Sequence, residues 1–563
     1  MSIVRQRQAI FFFRLLLLSV TLTLYVSGQA QTSAIVSAHP LATDAGIEIL
    51  NKGGNAFDAA VAVTATLAVV EPYSSGIGGG GFWLLHIKRD SRDVMLDGRE
   101  RAPLAATSDM YLDENNDVVP GASIDGPLSA GIPGVPAAMA HLSSRYGALP
   151  LSVSLAPAIK YASNGFTTDE HYRRMAELRV QALNASADAA RIFLRNKKAP
   201  EPGSLIIQDD LAATLNLIAS KGARGFYQGA LAERMVKAVV SQGGIWSMED
   251  LASYRVVERE PVRARYKGMQ VVSAAPPSSG GVALVQMLNM LSKFDYSALA
   301  DAQRVHVLAE VMRRAYRDRA EFLGDNDFID VPVRQLTSTQ HATMLANSIQ
   351  LDAVTASAAL APVTTDTNKA KDTTHFSIID GEGNRVSATL SINYPFGSGF
   401  VATGTGVLLN DEMDDFSSKP GEPNIYGLVG AKANAIEPGK RMLSSMTPTF
   451  LETKDRIAIL GTPGGSRIIT MVLLGALAFH EGGDAEQMVN SGRFHHQYLP
   501  DKIFTEPDVF SMQLQDKLSA FGHEIEILDS DYGNMHIIVQ HKKNGQLDAA
   551  ADRRGGGKAR IAP

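Results

Sequence analysis

Apolar residues recur at helical spacing through residues 301–323, where Val305, Leu308, Val311, Met312, Ala315 and Phe322 are separated by charged positions. That rhythm predicts an amphipathic helix. A second helix is predicted over 230–242, stopped by Gly243-Gly244, because glycine enters the left-handed conformation that ends helices without a Cβ penalty. Elsewhere the pattern is that of strands. The segments 375–379 (HFSII) and 385–392 (RVSATLSI) are short and rich in β-formers. Turn residues 380–384 (DGEGN) lie between them, so the pair predicts a β-hairpin. Residues 82–87 (FWLLHI) predict another strand behind four glycines, and 457–460 (IAIL) predict one that precedes a helix over 467–479.

Two segments break this alternation. At the front, Arg5 and Arg7 precede an apolar stretch that runs to Val26, and Gly28-Gln29-Ala30 closes it with small-x-small residues. This is the layout of a secretory signal peptide spanning 1–30. Arg14 leaves the apolar run short for a membrane span, so the expectation is export to periplasm or medium without stable membrane association. Further on, 361–372 (APVTTDTNKAKD) is polar and carries no aromatic. It predicts an exposed, proteolytically accessible connection that runs directly into Thr373-Thr374-His375 and a core strand.

Composition narrows the chemistry. The 563 residues contain no cysteine, which excludes disulfides, a thiolate nucleophile and a zinc ribbon. A net charge of -6 argues against a nucleic-acid partner, which calls for a basic face. Gly78-Gly79-Gly80-Gly81 precedes a strand instead of joining strand to helix, so it reads as a packed turn and not a dinucleotide loop. Gly461-Thr462-Pro463-Gly464-Gly465-Ser466 does join a strand to a helix, and its amides could cradle an anion. It lacks a P-loop Gly-Lys-Ser/Thr ending; an oxyanion hole and a plain turn both remain open. His495 and His496 are adjacent, without helical ligand spacing, and read as structural residues with no metal. Thr373 is the last candidate. A threonine hydroxyl needs a base, and a cut before Thr373 would free an α-amino group with a pKa of about 7.7–8.0 to serve as one. On the bare pattern the plainer reading stands ahead of this one, because Thr-Thr starts many ordinary strands.

Those residues fall into a wider pattern. Thr373-Thr374-His375-Phe376-Ser377, residues 409–417 (LNDEMDDFS), 443–449 (LSSMTPT) and 462–467 (TPGGSR) resemble the small subunit of γ-glutamyltransferases. Upstream, 97–103 (DGRERAP) and 276–281 (PPSSGG) are similar to large-subunit motifs of that family. The resemblance covers the chain after the signal segment, in order. It implies an α+β fold, the four-layer αββα sandwich of N-terminal-nucleophile hydrolases. It also implies a precursor that cuts itself between Asp372 and Thr373 into a large subunit (31–372) and a small subunit (373–563), both parts of one catalytic domain.

The resemblance further implies roles. Thr373 is the nucleophile, Gly464 and Gly465 form the oxyanion hole, and Ser391, at a position typically Thr, steadies the nucleophile. Arg99, Ser444 and Ser445 bind the glutamyl α-carboxylate, while Asn393, Glu412 and Asp415 bind the α-ammonium. Tyr426, within the Gly- and Pro-containing segment 419–430, gates a lid. No cofactor is implied; the partners are glutathione and other γ-glutamyl compounds, with amino acids or dipeptides as acceptors. Two rivals are a cephalosporin acylase type of amidase on the same scaffold and an exported binding protein that never matures.

Overall fold

The computed structural model describes residues 32–360 and 373–563; the expected signal segment and the connection 361–372 lie outside the described residues. Two antiparallel sheets form the centre. The first has seven strands: β1 (Ser33–Ser37), β2 (Gly80–Ile87), β3 (Arg92–Asp97), β4 (Val257–Arg259), β7 (Thr374–Ile379), β8 (Arg385–Ser391) and β13 (Lys558–Ala562), in the order β13-β1-β7-β8-β2-β3-β4. The second has six: β5 (Val262–Tyr266), β6 (Met269–Ser273), β9 (Thr449–Glu452), β10 (Arg456–Gly461), β11 (His536–His541) and β12 (Leu547–Ala551), in the order β12-β11-β10-β9-β6-β5.

The pleat divides each strand between two cores. Ile35, Trp83, Leu85, Phe376 and Ile378 pack under the helices Pro40–Asn51, Ala56–Val70 and Leu151–Asn164. Their neighbours Ala34, Val36, Phe82, Leu84 and Ile379 point the other way, against Phe450, Ile459 and Ile538 of the second sheet. Beyond that sheet, Ala458, Leu460, Ile537 and Val539 face the helices Gly280–Leu291, Asp301–Phe322 and Ile468–His480. The result is the expected αββα sandwich. With both faces covered, the central strands need no polar side, which is why segments such as 82–87 and 457–460 read as continuous apolar runs.

The predicted elements occur with small shifts. The amphipathic helix is Asp301–Phe322, and the shorter one is Gly229–Ser241, beyond which Gly243 has φ +91°. The hairpin is β7–β8, closed by Asp380 N–H to Asn384 O at 3.1 Å. Asp380 Oδ2 also accepts from Ala56 N–H at 2.9 Å, so this turn caps the helix Ala56–Val70. After β10 the chain makes a 3-10 turn, Gly465–Arg467, before the helix Ile468–His480.

Candidate active site

Thr373 is the residue immediately before β7, in the middle of the first sheet and 6% exposed. The strand alternation separates it from Thr374. Thr374 Oγ1 donates to Glu71 Oε2 at 2.8 Å on the helix side. On the opposite face, Ser377 Oγ donates to His536 O of the second sheet at 3.0 Å. Thr373 shares that second face and stands over the mouth of the sandwich.

Beside Thr373 lies a cavity of about 20 Å³, room for a single water, into which Arg99, Ser391, Asn393, Glu412, Asp415, Tyr426, Ser444, Ser445 and Gly465 all converge. Arg99 is fully buried at the end of β3. Its Nη1 donates to Glu412 Oε2 and its Nη2 to Asp415 Oδ2, each at 2.5 Å, and its Nε donates to Met442 O at 3.3 Å. The guanidinium, assigned to the carboxylate side by the resemblance, is thus paired with two acids assigned to the ammonium side. Burial works against the Arg99 charge, but Glu412, Asp415 and Glu100 outweigh it and hold its pKa above the ordinary value. Burial pushes Glu412 up to about 7, with Arg99 opposing and Asp415 adding. Glu100, 3.6 Å from Arg99 Nη1, is raised well above the carboxylate range by burial and then by Glu412.

The remaining polar groups are held in place by their neighbours. Ser391 Oγ accepts from Asn393 N–H at 2.7 Å and borders the same pocket as Glu412. Asn393 has φ +74° and donates its Nδ2 to Asp411 O at 3.0 Å, which leaves Oδ1 for a donor in the cavity. The Pro276–Gly281 motif grips the Ser444-Ser445 pair: Ser279 N–H and Oγ both donate to Ser444 O, and Ser444 N–H donates to Pro277 O. Arg319, from the helix Asp301–Phe322, reaches Ser279 Oγ at 3.0 Å and Ser445 Oγ at 3.3 Å.

Gly464 and Gly465 form the turn between β10 and the helix Ile468–His480, with φ +139° and +55°. Both angles lie where an L side chain is strained, and a Cβ on Gly465 would sit 2.5 Å from the Tyr426 ring. The turn lies just before the positive end of the helix Ile468–His480, and each glycine borders a cavity that Thr373 also borders. Tyr426 covers the pocket from above, its hydroxyl donating to Asn393 O at 2.7 Å. The covering segment is tied down by the acids beneath it. Ile425 N–H donates to Asp414 Oδ2 and Asn424 Nδ2 to Asp415 Oδ1, both at 3.0 Å. Gln497 Nε2 holds Gly427 O at 3.1 Å.

On its other side Thr373 borders a cavity of about 1020 Å³, shared with Gly464, Glu71, Tyr73 and Asp169. Thr373 thus stands between a tight pocket and a roomy one. Every sequence-assigned site residue borders one of the two. Three contributors were not assigned from the sequence: Arg319, Asp414 and Glu71. No local motif distinguishes Arg319 or Glu71, whereas Asp414 lies inside the quoted segment 409–417. His495 bonds Thr470 and Gln497 at 2.8 Å, a structural arrangement, and among the described residues no group of three or more metal-binding side chains occurs.

The family model for gamma-glutamyltranspeptidase matches residues 42–562. The chain is 42% identical over 501 residues to a glutathione hydrolase proenzyme of Pseudomonas sp. (strain A14), covering 88% of this chain and 87% of the relative. It is 38% identical over 531 residues to the glutathione hydrolase proenzyme of Escherichia coli (strain K12), covering 93% and 91%. Among solved structures, the cephalosporin acylase from Bacillus halodurans superimposes with a TM-score of 0.82 at 27% identity, over 94% of this chain and 95% of that one. With the family model spanning residues 42–562 and relatives matched nearly end to end at 38–42% identity, this protein belongs to the gamma-glutamyltranspeptidase family.

Proposed function

We propose that this chain is an exported proenzyme, periplasmic or secreted, that cuts itself between Asp372 and Thr373 and then acts as a γ-glutamyltransferase and glutathione hydrolase. The observation that carries this reading is the convergence of Arg99, Glu412, Asp415, Ser444 and Ser445 on one small pocket bordered by Thr373. Fragments 31–372 and 373–563 stay together as the two subunits of one enzyme.

In the mature enzyme Thr373 Oγ attacks the γ-carbonyl carbon of glutathione and its proton passes to the Thr373 α-amino group. The N–H groups of Gly464 and Gly465 hold the tetrahedral oxyanion, an interaction whose loss typically costs about 100–1000-fold in rate. The C–N bond breaks, the leaving amine takes the proton, and a γ-glutamyl ester remains on Thr373. Water, an amino acid or a dipeptide then attacks that ester and regenerates the hydroxyl. No metal or organic cofactor takes part.

Binding is an exchange of partners. A γ-glutamyl group carries a free carboxylate and a free ammonium, so its carboxylate takes Arg99, Ser444 and Ser445 while its ammonium takes Glu412, Asp415 and Asn393. The zwitterion leaves the net charge of the buried site unchanged. Ser391, which borders the same pocket as Thr373, steadies the nucleophile, and Tyr426 shields the ester from water.

The acylase reading draws on the likeness to the cephalosporin acylase structure. A glutaryl-type acyl group lacks the ammonium. It would add an anion to a pocket where three carboxyls already surround one guanidinium. The test is N-terminal sequencing and intact mass of protein incubated at neutral pH, followed by assay on γ-glutamyl and glutaryl anilides. A new N-terminus at Thr373 and turnover of the γ-glutamyl anilide are expected. A chain that stays whole, or one that prefers the glutaryl anilide, refutes the reading.

A further inference from the structure

Glu71 caps the C-terminal end of the helix Ala56–Val70 and is 4% exposed, and the reaction laid out above gives it no task. Its carboxyl accepts from Thr374 Oγ1 at 2.8 Å and from Tyr73. Among the described residues it makes no ion pair. A buried carboxylate held by hydroxyls alone is an incomplete arrangement, because desolvation of the charge is not matched by a cation. Cleavage before Thr373 supplies a cation one residue away. That ammonium forms on the residue adjoining Thr374, whose hydroxyl is bonded to the Glu71 carboxyl at 2.8 Å. Thr373 and Glu71 also border the same large cavity.

Resting on the self-cleavage proposed above, we infer that Glu71 is the counter-charge of the α-amino group exposed on Thr373, and so a positioning residue that holds this base beside the nucleophile. The neighbouring groups do not replace it. His39 and His171 are lowered by burial and remain neutral near pH 7, His39 at about 4. Asp169 adds a further negative field. Arg554 is committed to Glu506 at 2.7 Å, and Arg174 and Arg553, which border the cavity with Asp531, form no ion pair with Glu71. Burial raises Glu71 itself to about 7, in the range where an ammonium partner decides its state.

The test is the pH dependence of kcat/KM on a γ-glutamyl anilide for matured wild type, Glu71→Gln and Glu71→Asp. The acid limb reports the free enzyme's base. Without the carboxylate the ammonium loses its proton more readily, so the Glu71→Gln midpoint is expected to fall by about one pH unit or more. Glu71→Asp keeps the charge and is expected to titrate near wild type. A purely structural role would lower the rate at every pH and leave the midpoint in place. If Glu71→Gln does not mature, Thr374→Val carries the test. It removes the donor that favours the carboxylate, and the midpoint falls in the same direction by less. An unmoved midpoint in the variant used overturns the inference and leaves the γ-glutamyl reading intact. A wild type that neither cleaves nor turns over the anilide overturns that reading instead.

Discussion

Replacing Arg99 by lysine keeps one positive charge in the pocket and removes the fork. Arg99 makes three donor contacts, two of them to different carboxylates through different nitrogens. A lysine ammonium is a single, shorter-reaching centre and can satisfy one carboxylate at the arginine's position. The charge-assisted bond that is lost is worth about 1.5–3 kcal/mol. At about 1.4 kcal/mol per factor of ten, kcat/KM for a γ-glutamyl anilide should fall by about 10- to 150-fold. Most of the loss should lie in KM, because in the proposed reaction the fork binds the glutamyl group and does not touch the reacting bond. Steady-state kinetics on the matured protein, with melting temperature as a control, measure this. The charge is retained, so maturation should proceed and melting should fall by no more than that one bond accounts for; Arg99→Ala would instead strand the buried acids, a loss of about 3–5 kcal/mol in comparable cases. Wild-type kcat/KM in Arg99→Lys would refute the assignment of this guanidinium to the substrate carboxylate.

Thr373→Ala should remain a single chain by denaturing gel and show no turnover; two fragments with activity would end the nucleophile assignment. In Gly465→Ala the new Cβ meets the Tyr426 ring at a position with φ +55°, so the lid should be displaced and limited proteolysis near 419–430 should quicken. An unchanged digestion pattern would mean that the lid does not rest on this turn. Tyr426→Phe removes one hydrogen bond, about 1 kcal/mol, and should raise the hydrolysis-to-transfer ratio about five-fold as water gains access. Equal ratios in the two proteins would argue against gating. The pH profile of stability has a calculable sign. In the uncut chain, Glu71 and Glu412 at about 7 and Asp414 at about 6 stay protonated in the fold after the unfolded chain has ionised, so they withdraw stability as pH rises from about 4.5 to 7. His39 and His496 at about 4, and His523 and His536 at about 3, stay neutral after the unfolded chain has protonated, so they withdraw it as pH falls below 6.5. The melting temperature should therefore be nearly level between about pH 4.5 and 6.5 and drop below that; a steady decline from 6.5 would show that the acids are ionised in the fold.

Much of this was legible in the chain before any coordinates. The boundary at Thr373, the β7–β8 hairpin and the turn at Gly464-Gly465 are local features, dictated by residues within a few positions of each other. The pocket residues were legible only as separate motifs. What local pattern could not give is their pairing: Arg99 meets Glu412 and Asp415 across 313 and 316 residues of chain. Nor could it say that the Pro276–Gly281 motif would hold the backbone of Ser444, or that Arg319 would turn inward from an amphipathic helix to reach Ser445. Glu71 was overlooked for the same reason, since its meaning depends on a strand that follows it by 303 residues.

The order of the first sheet has an engineering consequence. Strand β13, near the end of the chain, pairs with β1, near its beginning, with Ala562 opposite Ser33, and β1 pairs in turn with the strand that follows Thr373. Such a layout invites circular permutation. A short loop from the end of β13 to the start of β1 would have only the width of one strand pairing to bridge. A gene reordered in this way could open at Thr373, with the initiator methionine trimmed by an aminopeptidase. The nucleophile would then be born with its amine free, and folding could be studied apart from chain scission.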